Sequence, residues 1–161
     1  MLASAGSADK LRWLTTLGVD AGVNYRTQSL TDFLAAQCPE GLDCYFDNVG
    51  GPALDAALVA MKPFGRIALS GAIARYNDAD YRGGPKDFFI LTEKSLSITG
   101  FNFFHAMTRS GRDIPGELRS LLKAGALVSR ETIVTGLDNV PAAFAALFRG
   151  ENFGKMLVRL S

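Results

Sequence analysis

Short apolar runs alternate with amphipathic stretches along most of this chain. Met1-Leu2-Ala3-Ser4-Ala5 predicts a short buried strand. Ser7 then caps a predicted helix through Leu17, with Leu11, Leu14 and Leu17 along one face and Gly18 just beyond. A second strand is predicted near Ala21–Tyr25. Ser29-Leu30-Thr31-Asp32 matches a capping box with aspartate in place of glutamate, and Phe33, Leu34 and Gln37 continue a helix. Leu42-Asp43-Cys44-Tyr45-Phe46 is a third strand. Asp47-Asn48-Val49-Gly50-Gly51 turns the chain, and Pro52 suits a first helical turn. Leu54, Leu58 and Met61 supply that helix's apolar stripe, which Phe64-Gly65 is expected to close before a strand at Arg66–Ser70.

A Gly-rich loop from Gly71 to Pro85 precedes a short helix around Asp87–Lys94. The next strand is expected over Leu96–Phe103, its run of Ile98, Phe101, Phe103 and Phe104 apolar enough for an interface or a core. Leu118, Leu121 and Leu122 mark a helix ended by Gly125. A strand near Glu131–Val134, a helix around Pro141–Phe148 and a strand at Lys155–Leu160 finish the chain. The alternation predicts an α/β fold, a parallel sheet flanked by helices with right-handed crossovers.

Composition narrows the function classes. At 161 residues and 48% hydrophobic, the chain suits one compact domain. A net charge of +1 supplies no basic field for nucleic acid. Cys38 and Cys44 are too few for a disulfide framework or a Cys-rich zinc site, so packing in a reducing compartment is expected. No apolar run approaches the roughly 18 residues of a membrane span, and a soluble, cytoplasmic protein is expected. His105 is the single histidine and is read as a packing or surface residue.

In parallel sheets ligands lie over the carboxyl ends of the strands. Gly6, Ser7 and Lys10 follow the first strand: a small residue, a hydroxyl and a cation that suit a phosphate at a helix N-terminus, or that only cap and solvate. Tyr25 and Arg26, after the second strand, add a hydroxyl and a cation pointing into the same region. Asp47-Asn48-Val49-Gly50-Gly51 allows close backbone approach to a ligand, or makes a simple turn. Gly71-Ala72-Ile73 repeats the small-residue pattern, with Tyr76-Asn77 beyond it. Tyrosine there either packs or donates to a carbonyl. Asn152-Phe153-Gly154-Lys155 enters the last strand. No Gly-x-Gly-x-x-Gly turn, which normally cradles a dinucleotide pyrophosphate, occurs anywhere in the chain.

Together, Ala5-Gly6-Ser7-Ala8-Asp9-Lys10, Tyr45-Phe46-Asp47-Asn48-Val49-Gly50-Gly51, Gly71-Ala72-Ile73 with Tyr76-Asn77, and Glu151-Asn152-Phe153-Gly154-Lys155 resemble the medium-chain dehydrogenase/reductase superfamily. The resemblance is to its zinc-independent NADPH-dependent double-bond reductases of alkenals, prostaglandins and curcumin. It implies a Rossmann-like fold and reduction of α,β-unsaturated ketones or aldehydes with NADP(H). Gly6, Ser7, Lys10 and Tyr25 would then hold the 2′-phosphate, and Asn48 would face the cofactor. Gly71 and Ala72 would let the nicotinamide half pass, Phe101 and Phe103 would line its pocket, and Asn152 would contact it. Tyr76 would stand near the substrate carbonyl as the catalytic residue.

Members of that family carry a substrate domain, a first strand and a glycine turn ahead of this region. Residues 1–161 are thus expected to form an incomplete NADP-binding domain, whose C-terminal extension belongs to the side of the absent substrate domain. The order 3-2-1-4-5-6 would leave the sheet split between this chain's first and third strands. The chain alone is expected to be inactive, and to associate with itself or with a separate N-terminal half. The rival expectation is a non-catalytic remnant or assembly module.

Overall fold

The computed structural model describes residues 1–76 and 84–160. Residue contacts gather into two compact units, Met1–Ser110 and Gly111–Ser161. The first unit runs β1 (Leu2–Ala5), α1 (Ala8–Thr16), β2 (Ala21–Asn24), α2 (Leu30–Gln37), β3 (Leu42–Asp47), α3 (Gly51–Ala60), β4 (Met61–Leu69), α4 (Phe89–Glu93), β5 (Ser97–Gly100) and α5 (Phe103–Ser110). The second contains α6 (Ile114–Lys123), β6 (Glu131–Thr135), α7 (Val140–Arg149) and β7 (Lys155–Arg159). No helix among the described residues is long and apolar enough to cross a membrane.

Every strand pairing among the described residues is parallel, as a chain of strand–helix–strand units requires. In the first unit β1 pairs with β2, and β3, β4 and β5 form a second sheet in that order. The division falls between β1 and β3, where the order 3-2-1-4-5-6 places its central strand. The expected α/β, Rossmann-like architecture and its split sheet are both present. In the second unit β6 pairs with β7 from Glu131↔Lys155 to Thr135↔Arg159.

The caps read from sequence operate. Ser7 Oγ accepts from Lys10 N–H at 3.4 Å and Ser29 Oγ from Asp32 N–H at 3.2 Å. Each satisfies a donor that the first helical turn would otherwise leave unpaired. The main apolar cluster of the first unit is Leu54, Leu58, Met61 and Ile67, with Tyr45, Leu69 and Ile98 packed against it. The pleat explains this choice: Tyr45 and Ile67 turn toward α3, while Cys44, Phe46 and Arg66 between them are exposed.

Two expected boundaries are corrected. The third helix does not run on through Met61 to Phe64-Gly65: Met61 is the first residue of β4, and Phe64-Gly65 lies inside that strand. Pro63 disfavours helical geometry at Lys62 and removes a backbone donor, so the chain becomes extended early. The ladder between β3 and β4 is irregular there, stepping from Leu42↔Met61 to Cys44↔Arg66. Met61 stays in the core because helix end and strand start face the same cluster. The strand expected over Leu96–Phe103 is also shorter. It stops at Gly100, and Phe103 begins α5, because Asn102 Oδ1 accepts from Phe104 N–H at 3.0 Å and His105 N–H at 3.2 Å.

Lys94 ties the α3–β4 junction together. Its ammonium donates to the carbonyls of Leu58 (3.4 Å), Val59 (2.6 Å) and Met61 (2.9 Å), while its own carbonyl accepts from Phe64 N–H at 2.8 Å. Replacing Lys94 with methionine keeps the stem and removes the charge-assisted bonds. It should lower stability by about 1.5–3 kcal/mol, read as a lower urea midpoint with unchanged slope.

Candidate functional site

The ends of all five strands of the first unit carry candidate residues. At the end of β1, a Cβ built on Gly6 would lie 2.7 Å from Tyr25 Oη and 3.1 Å from Arg26 Nε. The phenol and guanidinium after β2 therefore close over Gly6, beside the Ser7 cap at the N-terminus of α1. Tyr25 N–H donates to Ala5 O at 3.3 Å, fixing the approach of the two segments, and Arg26 N–H donates to Asn24 Oδ1 at 3.1 Å within the turn after β2. A hydroxyl, a cation and a helix N-terminus at one place favour an anion. Lys10 stands in the first turn of that helix; Arg12 in the same helix is ion-paired with Asp9.

At the end of β3 the Asp47 carboxylate is buried, 1% exposed. Its Oδ1 accepts from Val49 N–H (2.8 Å), Gly50 N–H (3.0 Å) and the Tyr45 hydroxyl (3.2 Å), and Oδ2 accepts from Gly50 N–H (3.0 Å). Gly50 has φ +70°, a conformation glycine adopts without a Cβ penalty, and α3 starts at the next residue. Asn48 thus sits on a loop held by its neighbour's side chain. The loop after β4 runs alongside: a Cβ on Gly71 would lie 2.9 Å from Asn48 O, so only glycine permits this separation.

Gly71, Ala72 and Tyr76 line an open cleft with Leu69 and Ser70. Leu69 also borders a second cleft with Gly100, Phe101, Asn102, His105, Ala106 and Arg109. The structure thus brings Gly6, Ser7 and Tyr25 together at one strand end and Asn48, Gly71, Ala72 and Tyr76 at another. Phe101 lines the second cleft and meets Phe46 edge-on at 6.4 Å between ring centroids. Phe103 is not part of that lining; its ring packs edge-on against Phe104 at 5.7 Å. Asn152 belongs to the second unit, where its amide donates to Gly154 O at 2.6 Å. Asn77, named with Tyr76, lies outside the described residues.

Sequence reading assigned no ligand role to His105 and missed Arg109, both on α5. The four-residue spacing of His105 and Arg109 puts them on one helical face, but no helix is expected directly after the strand read over Leu96–Phe103, and α5 begins at the last residue of that strand. Arg26, expected to point into the region of Gly6, Ser7 and Lys10, does so, although which of those residues it covers is a contact between two elements.

Residues 1–124 match the family described as "Zinc-binding dehydrogenase". The chain belongs to this family. The resemblance to the medium-chain dehydrogenase/reductases agrees with that membership. Prostaglandin reductase 1 from Bos taurus is 38% identical over 161 residues, covering 99% of this chain and 49% of the relative. The 2-alkenal reductase (NADP(+)-dependent) from Nicotiana tabacum is 37% identical over 166 residues, covering 100% of this chain and 46% of the relative. Among solved structures, CurA in complex with NADPH from Vibrio vulnificus matches with a TM-score of 0.84 and 31% identity, over 99% of this chain and 49% of that one. The chain spans about half the length of these relatives. Among the described residues no group of three or more His, Cys, Asp or Glu side chains is placed to hold a metal ion.

Burial, reinforced by the Asp47 carboxylate, pushes the Tyr45 hydroxyl above its ordinary range. A raised value favours the protonated phenol in the folded state. Its contribution is therefore fully present below about pH 10, the ordinary tyrosine value, and is lost as pH rises beyond it. Urea denaturation from about pH 8 to about pH 11 should show a midpoint that falls at the alkaline end, and less steeply in Tyr45→Phe. Equal slopes for both proteins would refute this.

Proposed function

We propose that this chain carries the NADP(H)-binding part of an enzyme that reduces the carbon–carbon double bond of α,β-unsaturated ketones or aldehydes. The observation that carries the reading is the closure of Tyr25 and Arg26 over Gly6 beside the Ser7-capped helix. A space bounded by a phenol, a guanidinium and a helix N-terminus suits the extra phosphate of NADP(H). Gly6, Ser7, Lys10 and Tyr25 would hold that group, with Arg26 as an added cation. Asn48 would face the cofactor, Gly71 and Ala72 would leave room for its nicotinamide half, and Phe101 and Phe103 would flank that half. The bound cofactor would supply the hydride. Tyr76, at the first cleft, would donate a hydrogen bond to the substrate oxygen and so stabilise the negative charge that develops there.

The names of relatives that share over a third of their aligned residues support the reading: one is a prostaglandin reductase and another an NADP(+)-dependent 2-alkenal reductase. Because the chain spans about half their length, we propose that turnover needs the remaining half, which would complete the sheet. The divided sheet also favours a second reading, an assembly module that recruits a strand at its open edges without turning over. NADPH oxidation by a small enone, measured with and without a co-expressed N-terminal half of a relative, separates the two. Activity only with the added half supports the first, and complex formation without activity supports the second. Cytoplasmic location and zinc-independent catalysis belong to the same proposal. Running the assay on the soluble fraction, with and without chelator, checks both.

Lys10→Ala should weaken NADPH at least about tenfold more than NADH, the loss of one charge-assisted hydrogen bond. Fluorescence titration of the two nucleotides measures the difference, and equal weakening would displace the phosphate site from Lys10.

We also propose self-association through the outer edge of β5, since that strand pairs only with β4 among the described residues. Sedimentation at micromolar concentration should show a dimer; a clean monomer would overturn it.

A further inference from the structure

The loops after β3 and β4 meet through a row of backbone hydrogen bonds. Asp47 O accepts from Ser70 N–H (2.7 Å) and Gly71 N–H (3.2 Å), Asn48 O from Ile73 N–H (3.2 Å), and Val49 O from Ala74 N–H (3.1 Å). One loop supplies the acceptors and the other the donors. The Asp47 carboxylate holds the opposite ends of the same peptide groups. Val49 N–H shares a plane with the Asn48 carbonyl, and Gly50 N–H shares one with the Val49 carbonyl. In a trans peptide the N–H and C=O point opposite ways. Drawing both N–H groups onto one buried carboxylate therefore aims both carbonyls away from it, toward Ile73 and Ala74.

We propose that Asp47 is a positioning residue, its carboxylate setting two peptide planes so that the Asn48 loop and the Gly71–Ala72 loop form one ledge. The role of that ledge rests on the cofactor reading above; the coupling itself does not. The Tyr45 hydroxyl is the third donor on the carboxylate and fixes it from the strand side at 3.2 Å. Gly71 belongs to the same device, because a Cβ there would strike the Asn48 carbonyl that Asp47 has aimed. Asp47 would touch neither substrate nor cofactor and would act only through the loops.

Amide exchange by NMR on the whole chain tests this. In Asp47→Asn, Ile73 and Ala74 should exchange at least about tenfold faster, the equivalent of one hydrogen bond to a charged group, while β6 and β7 amides keep their rates. A rise confined to Val49 and Gly50, or an equal rise at every amide of the first unit, overturns the proposal. If Asp47→Asn does not fold, Tyr45→Phe replaces it, leaving the carboxylate and removing one donor. Val49, Gly50, Ile73 and Ala74 should then speed up together, by about two- to tenfold. A rise at the first two alone, or at none, overturns it. NADPH titration of the same proteins is scored separately. Absence of binding in wild type and variant, with the linked amide change present, supports the loop coupling and counts against the cofactor reading.

Discussion

A carboxylate withdrawn from water at the end of β3 sets the local geometry on which the candidate site depends. Burying Asp47 would be costly if its oxygens lacked partners, since an unpaired buried charge loses far more hydration than a protein interior returns. Here two backbone amides and a phenol meet it, and the phenol is itself held protonated by burial. To bring those amides within reach the chain must turn sharply at once, which places Gly50 at positive φ and starts α3 at Gly51. The direction of α3, and through Leu54 and Leu58 the packing of the core, follows from that turn.

The same economy governs the sheets. A parallel strand is normally buried on both faces, but in β3 only the Tyr45 side is packed against α3, and Phe46 on the other side is 57% exposed. Lys94 performs a comparable task at the far end of α3, where the carbonyls of Leu58 and Val59 in the helix and of Met61 at the start of β4 converge on one ammonium. That helix is supported from both ends: a buried carboxylate at its start and a cation at its finish, each opposite in sign to the partial charge of the helix dipole there and each meeting backbone groups that need partners.

Much of the fold was legible along the chain. Ser7 and Ser29 announced their helices because a cap is a local bond between residues three apart. The strand–helix alternation implied parallel pairing, and the absent glycine turn pointed to a divided sheet. Legibility failed where local signals conflicted. Met61 carried helix periodicity into a segment that Pro63 made extended, and the aromatic run after Ile98 concealed the Asn102 cap.

For the site, sequence determined which residues follow each strand, because that is a matter of order. It therefore named Gly6, Ser7, Lys10, Tyr25, Asn48, Gly71, Ala72 and Tyr76 without help. Only the tertiary structure decided how closely Tyr25 and Arg26 approach Gly6, that His105 and Arg109 border a cleft, and that the Asn48 and Gly71 loops are zipped together. These are contacts between residues distant in the chain or turned by a helix that the sequence pattern hid. Their existence depends on how strands lie side by side, which no local propensity encodes.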